Sequence, residues 1–292
     1  MPSPKPFAVL VLSAFAFAAC KPAPVEWRGD ARQVAVPQPY ASTPAGDSTD
    51  SLSVSAIAGD ETAAPAGARL VLRADGSPAL ESVAAVMTSP AAADTAACIG
   101  SLRTSALSST EVYGVWWSRR SGGRASLVAA RSDDAGGTWT PPVPVDTTDR
   151  GTVACERPAP AIAADATSGY VHVTYFLNGP GGPGVFFSHS MERGELFHAP
   201  VPIMYGARPS ASAVAAADSV VVVAFEDPNS ARSQVALAMS RTWGHIFARE
   251  RPEASSGETT AERPLVAVRD SVVAVGWHSP DHAVVARVGT MK

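Results

Sequence analysis

The sequence predicts an all-β fold, a β-propeller of about four four-stranded blades. Short β-rich runs end in an aromatic residue four times, at Trp116, Tyr175, Phe225 and Trp277. By subtraction of their residue numbers, these aromatics lie 59, 50 and 52 residues apart. Self-similarity at a period of about 50 residues is typical of a propeller or a solenoid. We therefore expect the folded domain to span residues 67–292.

Arg-Pro pairs recur in phase with the aromatics and are expected to open the first strand of three repeats. Proline is tolerated there because no hydrogen-bond donor of the ladder is lost. The last repeat has three predicted strands before the chain stops at Lys292. We expect the early strand Arg69–Ala74 to supply the fourth and so close the ring, which removes an exposed sheet edge. The count becomes five blades if Ala79–Val86 belongs to a further sheet.

Composition narrows the range of partners and cofactors. The chain has 292 residues, of which 46% are hydrophobic and 17% charged, with a formal net charge of −4. No basic tract is present, so nucleic acid is not an expected partner. The six histidines form no metal-binding pair by spacing, and two cysteines cannot make a zinc site by themselves. No metal and no cofactor are therefore predicted.

Residues 1–19 have the pattern of an export signal. Lys5 supplies a positive charge, and the apolar run 7–19 is too short to span a bilayer as a mature helix. The run ends in Phe-Ala-Ala-Cys, which resembles the lipobox of bacterial lipoproteins. The resemblance implies cleavage before Cys20 and lipidation of its thiol. The alternative is an ordinary signal peptide followed by a chance cysteine.

Residues 20–66 are rich in Pro, Ala, Ser, Thr and Asp and have poor apolar periodicity. Such a composition is typical of a flexible tether between a lipid anchor and a domain. Lys21 occupies the position where, in lipoproteins, an aspartate signals retention in the inner membrane. The predicted location is therefore the bacterial cell envelope, by lipid anchor, at the outer membrane.

The segment Ser132–Trp139 fits the pattern S-x-D-x-G-x-T-W. It resembles the Asp box of sialidases and other proteins with bacterial neuraminidase repeats. Ser132 and Asp134 can bond the backbone of a tight hairpin, Gly136 permits a positive φ, and Trp139 buries a large ring. Degenerate copies fall in phase at 190–197 and 240–247. The resemblance implies a structural role, away from the active centre.

Arginines of the Arg-Pro pairs are candidate ligand-binding residues. If Arg157, Arg208 and Arg263 point toward one mouth of the propeller, they could grip a carboxylate by bidentate bonds. Sialidases, which the chain resembles, bind their substrate's carboxylate with an arginine triad. The alternative is that Arg-Pro is a repeat-building element whose arginine pairs with a neighbouring carboxylate or carbonyl.

A sialidase resemblance also implies a Tyr nucleophile assisted by a Glu, with an Asp as general acid. Tyr205 precedes Arg208 in a loop that could reach the mouth, Glu226 is a candidate acid, and His278 could stack on a sugar. No complete catalytic set can be placed. Two hypotheses follow: a surface-tethered binding module for a glycan, a peptide or an envelope partner, and an exo-α-sialidase-like glycoside hydrolase.

Cys98 and Cys155 each lie just ahead of a predicted first strand. An exported chain with two cysteines can form one disulfide. Adjacent blades could bring the two together, and two free buried thiols are the alternative.

Overall fold

The computed structural model describes residues 24–35, 68–83, 86, 88–248, 252–255, 260–281 and 283–292. The predicted signal peptide, Cys20 and most of the predicted tether lie outside these residues. In the described part, no helix has the length and apolar character needed to cross a membrane.

The described residues form strands joined by short turns and four single 3₁₀ turns. The strands are β1 (Val25–Trp27), β2 (Arg32–Gln33), β3 (Ala68–Leu72), β4 (Pro78–Ser82), β5 (Arg103–Ala106), β6 (Val112–Arg119), β7 (Ala125–Ser132), β8 (Val143–Asp146), β9 (Ala161–Ala164), β10 (Val171–Gly179), β11 (Gly182–Ser190), β12 (Val201–Tyr205), β13 (Ser212–Ala217), β14 (Val220–Glu226), β15 (Val235–Ser240), β16 (Glu262–Arg269), β17 (Val272–His278) and β18 (Val284–Met291). The 3₁₀ turns are Pro90–Ala93, Ile99–Ser101, Ser121–Gly123 and Ala154–Glu156.

These strands pair into five sheets. Sheet 1 is β5–β8, sheet 2 is β9–β12, sheet 3 is β13–β15, and sheet 4 is β16–β18 with β1 and β2; β3 and β4 form the N-terminal hairpin. Consecutive strands pair antiparallel, and the first strands of sheets 1 to 4 contact one another in chain order. This all-β arrangement is consistent with a β-propeller. The number of blades stays a prediction.

Apolar side chains fill the spaces between consecutive sheets. Tyr175 and Trp117 belong to the core between sheets 1 and 2, Phe225 to that between sheets 2 and 3, and Trp277 to that between sheets 3 and 4. Trp116, the aromatic of the first repeat, packs on the side of sheet 1 that faces residues 90–97. Each repeat aromatic is therefore buried on the face toward the preceding part of the chain.

The early strand does not close the ring as the sequence predicted. Residues 68–72 pair with β4 as a hairpin, and Leu70 and Leu72 pack against a face of sheet 4. The outer strand of sheet 4 is β1 instead, with Val25 opposite Met291 and Trp27 opposite Gly289. Two leucines on one face of β3 favour packing on a sheet face over edge pairing.

Part of the predicted tether is folded. In residues 24–35, the amides of Arg28 and Val34 donate to carbonyls of β18, and β2 pairs with the same strand. Arg287 lies over the Trp27 ring, 4.8 Å from its centroid. The segment has too few apolar residues to show strand periodicity, and it is ordered by covering the edge of β18.

A disulfide joins Cys98 and Cys155, whose Cα atoms are 5.1 Å apart. Cys98 precedes the 3₁₀ turn that leads into β5, and Cys155 lies in the turn that leads into β9. The bridge therefore links the approaches to the first strands of sheets 1 and 2.

Candidate functional site

Glu226 and Arg263, two predicted ligand-binding residues, come together where sheets 3 and 4 adjoin. Glu226 is the last residue of β14, and its carboxylate accepts hydrogen bonds from the amides of Arg263, at 2.8 Å, and Ala211, at 3.3 Å. Burial raises the pKa of Glu226, and the two amide hydrogen bonds oppose that rise. Its carboxylate thus acts as a clip between the first strands of two sheets.

Arg263 and His278 line an open cleft of about 360 Å³. The other lining residues are Thr260, Glu262, Ser279 and Pro280. Arg263 has a φ of +47°, a conformation that costs a non-glycine residue energy, and its side chain is exposed. Among the described residues, its guanidinium forms no ion pair. The cleft thus presents the Arg263 guanidinium beside the Glu262 carboxylate, two hydroxyl groups and an imidazole.

Arg157 is engaged within the protein. Its guanidinium forms a buried ion pair with Asp149 and lies 5.9 Å from the centroid of the Trp117 ring. Asp149 also accepts from the backbone amides of Ala125 and Gly151. This agrees with the alternative of a repeat-building arginine at this position.

Arg208 is also tied to its own sheet, since its Nη2 donates to the carbonyl of Asp227. Arg208 lies near enough to Glu226 to lower that carboxyl's pKa slightly. Arg157 and Arg208 are both less exposed than Arg263. A single binding site formed by all three arginines at one mouth of the propeller stays a prediction.

Tyr205 lies at the end of the outermost strand of sheet 2, away from the first strands. Its ring is about half exposed and meets Phe186 edge-on at 5.9 Å, and its carbonyl accepts from Asn229. His278, the predicted sugar-stacking residue, is 7% exposed, and its neighbour Trp277 is 4% exposed and belongs to the core. Little of the His278 ring is therefore free to stack on a sugar.

Two tyrosines pair with carboxylates inside the domain. Tyr175 donates to Asp146 at 2.8 Å, and Tyr113 donates to Glu111, which also binds Arg193. Burial and the neighbouring carboxylate raise the pKa of both phenols. Tyr113 is 1% exposed and Tyr175 is 0% exposed, so these pairs lie inside the domain and stabilise strands rather than face a substrate.

Ser132 and Asp134 form a closed hydrogen-bond network in a tight turn. Ser132 Oγ accepts from Gly136 N at 2.8 Å and donates to Asp134 Oδ1, and both carboxylate oxygens of Asp134 accept from Thr138. Gly136 has a φ of +87°. Trp139 is partly buried against its own sheet, and its Nε1 donates to Thr88. These bonds hold the hairpin between β7 and β8.

Three histidines that sequence reasoning left apart meet between sheets 2 and 3. His189 lies in β11, His198 follows the hairpin after it, and His245 lies in the corresponding hairpin of sheet 3. One ring nitrogen from each lies within 4.8 Å of the others. The sequence predicted no metal-binding histidines because only pairing between repeats brings these three together.

Comparison with known proteins gives distant likenesses. No family model and no curated protein matches the chain. Among solved structures, it is similar to Hadza microbial sialidase Hz136, with 16% identity over 66% of this chain and 46% of that chain and a TM-score of 0.49. It is similar to the NanB sialidase from Streptococcus pneumoniae, with 12% identity over 61% and 29% and a TM-score of 0.39. The chain thus spans less than half of either protein.

A third similar structure is the Bacillus subtilis arabinanase Arb43A, with 11% identity over 64% of this chain and 70% of that chain and a TM-score of 0.36. The fold described above follows from the strand pairing of this chain alone.

Proposed function

We propose that the domain is a non-catalytic binding module that recognises a glycan bearing a carboxylate. The observation that carries the proposal is the exposed Arg263, whose backbone is held by Glu226 at the edge of an open polar cleft. An arginine fork matches a carboxylate by two parallel hydrogen bonds. Thr260 and Ser279, which also line the cleft, supply hydroxyl groups that can orient a sugar.

Binding is favoured over sialidase-like hydrolysis by the way the other candidate residues are used. Arg157 and Arg208 are engaged by Asp149 and by the Asp227 carbonyl, so they are poorly placed to serve as a substrate clamp. The carboxylate-paired tyrosines, Tyr113 and Tyr175, are buried away from solvent. Glu226 uses both carboxylate oxygens to hold amides, which suits a clip better than a proton donor.

The proposal places this module on the bacterial cell envelope, held by lipid on Cys20; because β1 and β2 pair with β18, only residues 21–23 separate the lipidated cysteine from the folded segment 24–35. It rests on the resemblance of residues 17–20 to a lipobox. Metabolic labelling with a palmitate analogue should mark the wild-type protein and leave Cys20→Ser unmarked. Equal labelling of both would contradict lipid anchoring.

Glycan-array binding and turnover of a fluorogenic sialoside test the module directly. We expect binding of carboxylated glycans without turnover, and at least a tenfold loss of affinity in Arg263→Ala. Arg124→Ala is the matched control, since Arg124 is also exposed but lies in sheet 1. Turnover that is lost in Arg157→Ala or Arg208→Ala would establish the hydrolase instead. Binding of acidic peptides alone would overturn the glycan assignment.

A further inference from the structure

His189, His198 and His245 form a compact cluster of imidazoles. The ring centroids of His198 and His245 lie 4.5 Å and 4.6 Å from that of His189. We propose that these three residues bind one divalent transition-metal ion of the zinc class between sheets 2 and 3. The proposal is independent of the glycan cleft.

Packing holds His189 in place at the centre of the cluster. Its side chain is 3% exposed, and its ring stacks on Tyr170 with 6.0 Å between centroids and 5° between planes. The amide of His198 donates to the His189 carbonyl at 2.9 Å, which fixes the spacing of these two residues across the hairpin. Two of the three ligands are therefore set by sheet 2 itself.

The third ligand is positioned by a close contact between the sheets. Gly244, with a φ of +87°, packs on the Phe187 ring so closely that a Cβ there would lie 2.4 Å from it. This approach carries the neighbouring His245 over His189. Nitrogens bound to a tetrahedral zinc at about 2.1 Å lie about 3.4 Å apart, so each nitrogen–nitrogen separation in the cluster needs to shorten by about 1.4 Å at most.

The polar atoms of the cluster point to a ligand. Within the described part of the chain, the buried Nε2 of His189 has no hydrogen-bond partner, and such an atom in a native protein needs an explanation.

The donor set selects the kind of ion. Three imidazole nitrogens suit Zn²⁺, Cu²⁺ or Ni²⁺, whereas Ca²⁺ and Mg²⁺ prefer oxygen ligands. Three protein ligands leave a fourth position for water or an added carboxylate. Because His245 is exposed, that position faces solvent.

The histidine cluster and the glycan cleft lie at opposite strand ends of their sheets. His189 is near the end of a third strand, β11, whereas His278 ends a second strand, β17. Neighbouring antiparallel strands run in opposite directions, so the second and third strands of a sheet finish at opposite ends of it. The two sites therefore lie at opposite strand ends of their sheets.

Titration of the metal-free full-length protein with Co²⁺ and then Zn²⁺ tests this site. We expect one Co²⁺ per chain with visible d–d absorption, its displacement by Zn²⁺, and a higher Tm in Zn²⁺ because the ion binds only the folded state. His198→Ala and His245→Ala should each weaken Zn²⁺ binding on the order of 100-fold, as expected when a direct ligand is lost. Ca²⁺ should not compete.

Ile246→Ala is the matched control, since it removes an exposed side chain next to His245 and should leave Zn²⁺ affinity unchanged. Circular dichroism of each variant checks that the strands are retained, and His198 and His245 are chosen because they are less buried than His189. Zn²⁺ binding that survives both histidine substitutions, binding of several weak ions per chain, or no binding at all would overturn the proposal.

Discussion

Ser132, Ser190 and Ser240 each accept a hydrogen bond from the amide of the glycine four residues later. In all three hairpins the residue before that glycine has a φ between +50° and +58°. The serine hydroxyl therefore supports the same strained turn in every copy. The residue two positions after the serine varies between the copies. Thr242 Oγ1 accepts from the amide of Ile246, in the same way that Asp134 accepts from the amide of Thr138.

Asp134 is the residue whose charge matters most in this turn. Its amide and hydroxyl donors, the Thr138 amide first, lower the pKa of Asp134 to about 2 from the ordinary aspartate value of 3.8. A carboxyl whose folded pKa is depressed stabilises the fold above its unfolded pKa, and that contribution is lost as pH falls toward 2. We expect Asp134→Asn to lower Tm by about 2–4 °C at pH 7.

Thermal unfolding from pH 7 to pH 2 measures this effect, and the gap between wild type and Asp134→Asn should close at the acid end. Asp133→Asn is the control, because Asp133 makes only surface ion pairs with Arg131 and Arg193, which contribute little. A Tm loss in Asp133→Asn equal to that in Asp134→Asn would contradict the role assigned to the network.

At the scale of elements, strand ends decide how sheets join. The last residue of β14 bonds the amide of Arg263 in β16, so a side chain of sheet 3 satisfies a backbone donor of sheet 4. The register of β16 is irregular between Glu262 and Leu265, where Arg263 adopts its positive φ. The Glu226 carboxylate therefore accepts a hydrogen bond from a backbone amide at the point where the ladder of β16 is irregular.

Glu226 should give the stability of the protein a distinctive pH dependence. Its folded pKa is raised above the ordinary glutamate value of 4.5, mainly by burial. The folded state then binds more protons than the unfolded state, so stability falls as pH rises from about 4.5 through the folded pKa. Urea unfolding across this range should show the fall in wild type and a flatter profile in Glu226→Gln.

Glu226→Gln should also be less stable than wild type at pH 4.5 by about 1–3 kcal/mol, because a glutamine amide group cannot accept both backbone hydrogen bonds. Glu195→Gln, an exposed carboxylate on sheet 2, should change neither stability nor the pH profile. Parallel profiles for wild type and Glu226→Gln would show that another group titrates in this range.

At the scale of the whole molecule, distant parts of the chain are joined at two places. The disulfide between Cys98 and Cys155 spans a sequence separation of 57 residues, and β1 pairs with β18 at the other end of the described chain. The disulfide restricts the unfolded chain. The pairing of β1 with β18 covers what would otherwise be an open edge of sheet 4.

Removal of the disulfide tests its contribution. We expect the double variant Cys98→Ser with Cys155→Ser to fold but to lose about 2–4 kcal/mol of unfolding free energy, because its unfolded chain is less restricted. Urea unfolding of wild type with reductant should approach the variant's curve. If Cys98 and Cys155 of unreduced wild type both react as free thiols in denaturant, counted apart from Cys20, the bridge is not formed.

The sequence by itself determined the features that depend on neighbours along the chain. The strands, the repeat period and the turns at the Asp box and its degenerate copies follow from local patterns. The aromatic residue that ends the recurring strand of each repeat is buried, as a core position requires. Ser132, Asp134 and Gly136 bond within one turn, so the resemblance of this short segment to the Asp box was enough to predict their structural role.

Only the tertiary structure decided which residues from different repeats meet. Arg157 has a buried partner, whereas Arg263 is exposed. Residues 25–27, and not residues 69–74, pair with β18, and three histidines from two sheets lie together. Each of these outcomes depends on the packing of one sheet against another, where small differences in register decide whether a side chain faces a partner, a core or solvent. No pattern within a single repeat carries that information.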